Sequence, residues 1–185
     1  MVVKSVSRQE IDQKLPLMGD YVKIDYLQQC LKVAADFDTK KFVLVKLAGL
    51  YEGRGMFMDA GKLMSNAAEI NTTFEGKMQD FMRSFELYLK GGVFDEAEVS
   101  YAKGLACGSG MQKDRMKERR KQSYVGLAEE YMNKDKRTYA MKTYEKILAF
   151  ELSPDEKRSA QQTLLGLYDK LGKIREFYAL KKAIG

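Results

Sequence analysis

The sequence predicts an all-α protein, a right-handed α-solenoid of antiparallel helix pairs with about nine helices, and three observations carry that prediction. A tyrosine recurs as Tyr51, Tyr88, Tyr131 and Tyr168, spaced 37, 43 and 37 residues apart. Four residues after each stand Gly55, Gly92, Asp135 and Gly172, types that tolerate left-handed backbone and so turn a chain at little cost. Nine residues after each stand Ala60, Ala97, Ala140 and Phe177. An apolar helix ending at a tyrosine, a tight turn and a second helix are thus written four times, and a repeat of this period implies stacked helix pairs.

Residues 1–20 are weakly patterned and form an N-terminal segment, with Pro16 and Gly19 as breaks and Ser7 as a candidate cap for a short helix over 8–13. Residues 21–37 carry Val22, Tyr26, Cys30, Val33 and Phe37 at helical spacing and have no complete partner upstream, so they are expected to be a half-repeat or cap. From there to residue 185 the pattern predicts one helical-repeat domain. Its first repeat, about 40–71, pairs Lys40–Glu52 with Met56–Ile70, and Thr72 and Thr73 offer a cap for the next start. The second, 77–108, pairs Lys77–Lys90 with Val93–Cys107 across Gly91-Gly92. In the third, 113–152, six extra residues before Tyr131 lengthen the first helix by more than one turn; Lys113–Asn133 pairs with Lys136–Glu151. Ser153-Pro154-Asp155-Glu156 then combines a serine cap, a first-turn proline and acids at the positive end of the dipole. The last repeat, 155–185, pairs Asp155–Lys170 with Lys173–Ile184.

The columns Leu47-Ala48, Tyr51, Gly55, Ala60, Met64 and Ala67, echoed by Leu127-Ala128, Tyr131, Ala140 and Tyr144 and followed by Pro154, resemble the tetratricopeptide repeat over residues 40–185. The period of 37 rather than 34, the missing tryptophan column and Phe85 in a small-residue column depart from that pattern. The resemblance implies that the tyrosines pack between the helices of a pair and that first helices line a concave, partner-binding face. Counting from each tyrosine, that groove would hold Phe42, Val45, Gly49 and Glu52, then Gln79, Met82, Glu86 and Leu89. Gln122, Val125, Glu129 and Met132 follow, then Ser159, Gln162, Gly166 and Asp169. Each repeat supplies one carboxylate, which favours a basic or amphipathic segment of another protein. A clamp for a partner's C-terminal carboxylate is not expected, since only Arg83 falls near such a column.

Apolar residues at 45% and charged residues at 31% describe an ordinary folded chain, and no run is long enough to span a bilayer. Met1 to Glu10 mixes charges among its valines, so no secretory signal and a cytoplasmic location are expected. Cys30 and Cys107 then read as free thiols. Without any histidine, histidine triads and histidine zinc sites are excluded. Gly61-Lys62 is followed by Leu63 where a phosphate loop needs Ser or Thr. No enzyme, cofactor or metal is expected.

The stretch Lys113, Arg115, Lys117, Arg119, Arg120 and Lys121, against Asp114 and Glu118, holds +4 of the net +6. The functional expectation is therefore a non-catalytic protein-interaction scaffold or adaptor. An RNA-associated helical-repeat protein using the basic helix 113–121 is the alternative, and an enzyme of unknown class comes third. In the last helix Ile174, Phe177, Tyr178 and Ile184 exceed what one side of a short helix can bury. Either a second copy or a partner covers them, making a homo-oligomer through the C-terminal pair an expectation, or Phe177 and Tyr178 turn inward against Leu164, Leu167 and Tyr168.

Overall fold

Each of the four turn positions that follow the recurring tyrosines adopts the left-handed conformation that its residue type suggests. In the computed structural model φ is 73° at Gly55, 73° at Gly92, 53° at Asp135 and 66° at Gly172. At each of the four turns the tyrosine carbonyl accepts a backbone N–H from five residues on: Met56 to Tyr51, Val93 to Tyr88, Lys136 to Tyr131 and Lys173 to Tyr168, at 2.8–2.9 Å. One local geometry is therefore built four times, satisfying a carbonyl that a helix end would leave open.

The structure describes residues 6–184. The first five residues of the expected N-terminal segment, and Gly185 of the last expected repeat, lie outside the described residues. The elements are α1 Arg8–Lys14, a 3-10 turn Leu15–Leu17, α2 Asp20–Val33, α3 Phe37–Gly53, α4 Phe57–Ile70 and α5 Phe74–Lys90. α6 Phe94–Cys107, α7 Gly110–Asn133, α8 Arg137–Ile147, α9 Pro154–Lys170 and α10 Ile174–Ile184 complete them. The architecture is all-α, with ten α-helices among the described residues and successive helices packed as antiparallel pairs in a helical-repeat arrangement. The helix beyond the expected nine is α1, for which Ser7 is the cap, its side chain accepting the Glu10 N–H. Among the described residues no helix is long and apolar enough to cross a membrane.

The chain forms two compact units, residues 1–116 and 117–185, with the division inside α7. In the first, α2 packs on α3, α3 on α4, α4 on α5 and α5 on α6. Helix starts here lie earlier than hydrophobic spacing suggests because side-chain caps set them. Asp36 accepts the Thr39 N–H at 2.7 Å and starts α3 at Phe37, which places Phe37 outside the preceding helix. Thr73 accepts the Gly76 N–H and starts α5 at Phe74. The weakly patterned N-terminal segment contributes Ile11 and Leu15 to a core with Ile24, Leu27, Cys30, Val43 and Leu47. Further on, Ala60 and Ala97 are fully buried where helices approach, and a Cβ on Gly61 would stand 2.9 Å from the Tyr88 ring. At that crossing Ser84 Oγ donates to the Gly61 carbonyl at 2.8 Å and lies 3.0 Å from Ser100 Oγ, so both buried hydroxyls are satisfied.

In the second unit α8 packs on α9 and α9 on α10. Ser153 caps α9 in a full capping box: its Oγ accepts the Glu156 N–H, while Glu156 accepts the Ser153 N–H at 2.8 Å. Tyr124 is fully buried, edge-on to Phe150 at 5.1 Å. Ala140 is fully buried, as its column predicts, and Leu164, Leu167 and Tyr168 form the buried side of α9. Tyr168 donates to Glu145 at 2.9 Å; burial, then that carboxylate, raise its pKa. Cys30 and Cys107 are free thiols, Cys30 buried and Cys107 half-buried.

Candidate interaction faces of the first helices

In residues 6–116 the face expected to receive a ligand is formed by α3 and α5. Phe42, Glu52 and Glu86 are half-buried there, and Val45, Gly49 and Gln79 are exposed. Met82 and Leu89 are 2% exposed. They are packing residues, because α5 is flanked by both α4 and α6 and buries a wide stripe.

Four acids of this face, Glu52, Glu86, Asp80 and Asp38, each meet a cation. Arg83 donates to Glu52 and lies 3.7 Å from Glu86, and Lys90 donates to Glu52 at 3.2 Å. Beside them Asp80 takes Lys41 at 3.0 Å and the Asn71 amide at 2.7 Å, and Asp38 takes Arg8 at 3.4 Å. An open cleft of about 510 Å³ lies between Arg8, Asp38, Lys41, Phe42, Val45 and Asp80. Phe42 is approached by Arg8 at 6.0 Å and Lys46 at 5.0 Å. A second hollow, of about 330 Å³ and almost wholly apolar, is lined by Leu15, Pro16, Lys23, Leu27, Lys46, Gly49 and Leu50.

The face in residues 117–184 has the same sequence register and a different charge state. Gln122, Glu129 and Met132 on α7 and Ser159, Gln162 and Asp169 on α9 are exposed, with Val125 half-buried. No atom lies within 4 Å of the place a Cβ would take on Gly126 or Gly166, so the floor between these helices is open. Gln122 donates to Glu118 at 3.0 Å. Glu129 and Asp169 make no ion pair among the described residues, and both stand in the last turns of their helices, where the dipole adds negative potential.

The six cations of the basic stretch do not form one uniform patch. Lys121 joins α7 to α9, donating to Glu156 at 2.7 Å and lying 2.9 Å from Glu118. Glu156 is pulled down to about 2, first by that lysine and then by the Ser153 N–H. The Lys121 ammonium is held above its ordinary value by Glu156 and Glu118. Arg120 lies 4.0 Å over the Phe150 ring. Lys113, Arg115, Lys117 and Arg119 are exposed.

α10 has no buried residue. Phe177 is half-buried, edge-on to Tyr178 at 5.5 Å, while Ile174, Tyr178 and Ile184 are 67%, 64% and 41% exposed. The inward arrangement is thus realised only for Phe177, and in part. Sequence reasoning did not find the Arg83–Glu52–Lys90 cluster as a unit. The signal was present: Lys90 follows Tyr88 by two and Arg83 precedes it by five, both able to reach back to the preceding first helix.

No family model and no curated protein matches this chain. Among solved structures it is similar to that described as the crystal structure of BtubC (BKLC) from P. vanneervenii, at 18% sequence identity and a TM-score of 0.42, over 92% of this chain and 74% of the other.

Proposed function

We propose that this protein is a tetratricopeptide-like solenoid and a non-catalytic interaction scaffold of the cytoplasm, which holds a basic, amphipathic segment of a partner on the α7/α9 face. The observation that carries the reading is the pair of exposed carboxylates, Glu129 and Asp169, with no ion pair among the described residues, beside exposed Met132 and an open floor at Gly126 and Gly166. Opposite charge at the rim and apolar surface within it suit a segment with lysines on one side and aliphatic residues on the other. The four left-handed turns and their common backbone bond support the solenoid reading.

The test is a fluorescence-anisotropy titration of the full chain with a labelled helical peptide of lysine and leucine, against a glutamate and leucine peptide of equal length. The lysine peptide is expected to bind and to weaken as salt rises, and the glutamate peptide to stay free. Equal binding of both peptides, or of neither, defeats the proposal.

A second reading, RNA at the start of α7, is favoured by the charge distribution: residues 113–121 hold six Lys and Arg against two acids, +4 of the net +6. On that reading, Arg115→Gln, Arg119→Gln and Arg120→Gln together abolish binding to a single-stranded RNA in a filter assay. RNA affinity indifferent to the three changes removes it.

A further inference from the structure

We infer that the basic amphipathic segment is α10 of a second copy of this chain, so that the protein associates with itself through α10 and the α7/α9 face. This rests on the proposed binding of such segments and names the partner. α10 carries Arg175, Lys181 and Lys182, with Lys173 just before it, against a single acid, Glu176, which lies 3.9 Å from Lys173, and it leaves Ile174 and Tyr178, one turn apart, about two-thirds exposed. An exposed apolar pair ringed by cations asks for a surface that is both apolar and negative.

Three surfaces of a second copy could meet it, and charge separates them. Another α10 would set the same four cations against it, a like-charge arrangement that costs affinity. The α3/α5 face has its carboxylates occupied, Glu52 by Arg83 and Lys90 and Asp80 by Lys41, and offers no net attraction. The α7/α9 face keeps Glu129 and Asp169 available at the negative ends of two helices, with Met132 beside them. This face is acidic at that end only: Arg158 is exposed near the start of α9, which fixes the end at which the cations of α10 settle.

The α10 of the same copy does not serve. It packs on α9, yet Gln162, Gly166 and Asp169 are exposed on the side of α9 opposite buried Leu164, Leu167 and Tyr168. Because the two meeting surfaces differ, copies can join by reciprocal exchange or head to tail, and in either case the contact needs both α10 and the α7/α9 face.

Sedimentation velocity of the full chain over a wide concentration range, at low and high salt, tests this. The weight-average sedimentation coefficient is expected to climb with concentration at low salt and to fall back to monomer in high salt. Glu129→Lys with Asp169→Lys, and separately Lys181→Glu with Lys182→Glu, are each expected to weaken association by roughly tenfold or more. All four positions are exposed, and circular dichroism confirms that the variants remain folded. Mixing the two charge-reversed proteins is expected to restore association, because each then offers the complement of the other. A monomer at every concentration overturns the inference. So does a closed dimer lost on changing α10 but indifferent to Glu129 and Asp169. Binding of the lysine and leucine peptide by a strictly monomeric protein defeats this inference and leaves the proposed function standing, whereas loss of both defeats both.

Discussion

The two first-helix faces share a register and differ in charge state. On α3 and α5 the carboxylates Glu52 and Glu86 are held by Arg83 and Lys90; on α7 and α9 Glu129 and Asp169 have no ion pair among the described residues. The acids stand in exchanged columns, Glu52 and Asp169 one residue after their tyrosines and Glu86 and Glu129 two before, and the cations within their reach differ as well. Five residues before its tyrosine, α5 carries Arg83, long enough to reach the preceding first helix, whereas α9 carries Thr163, whose hydroxyl turns back to the Ser159 carbonyl at 3.0 Å. Whether an acid is available to a partner therefore depends on the column in which it stands together with the cations that can reach that column.

The largest expected effect tests whether the repeats of the two units are equivalent. Ala97→Leu and Ala140→Leu each force a larger side chain into a fully buried site, and each should cost about 1–3 kcal/mol in chemical denaturation. Parent-like stability in one variant and a large loss in the other would break the equivalence on which the comparison depends. The turn column comes next. Gly92→Ala should cost about 1–2 kcal/mol because a Cβ clashes in left-handed backbone. Asp135→Ala should cost less, because this turn already carries a Cβ at φ 53°. Thermal melts of the two variants rank them.

Much of this was legible in the sequence, and for a physical reason. Turn residues and small crossing residues answer to local sterics, so Gly55, Gly92, Asp135 and Gly172 announce their geometry, and Ala60, Ala97 and Ala140 announce close approach. The beginnings of α3 and α5 were harder, since Asp36 and Thr73 act through one hydrogen bond that apolar spacing does not register. The α3/α5 face was less legible still. Met82 and Leu89 occupy columns that are more open in the other repeats, and only the packing of α5 between two neighbours buries them. Arg83, Glu52 and Lys90 come together from positions up to 38 apart, a pairing that exists only once helix stacking is fixed.

Smaller effects sharpen the contrast. Arg83→Gln should cost only about 0–1 kcal/mol in urea denaturation, as a partly exposed ion pair contributes little. It should also remove one cation from Glu52 and Glu86 while Lys90 still holds Glu52, raising the affinity of that face for the lysine and leucine peptide by less than the α7/α9 face shows. The smallest effect is confined to the α7/α9 brace. Glu156 has a folded pKa of about 2 against an ordinary 4.5, so its contribution is complete above about 4.5 and disappears as pH falls toward 2. Helix content by circular dichroism should separate the parent from Glu156→Gln near pH 6, and the difference should close on acidification to pH 2.

The central claim is that available carboxylates, and not merely acids in the right column, make the binding face. Peptide affinity by anisotropy in two isosteric double variants tests it most directly. Glu129→Gln with Asp169→Asn should weaken binding of the lysine and leucine peptide by about tenfold or more, while Glu52→Gln with Glu86→Gln should leave it within about twofold, because those acids are already ion-paired. Equal losses in the two variants, or a loss confined to Glu52 and Glu86, would contradict the account.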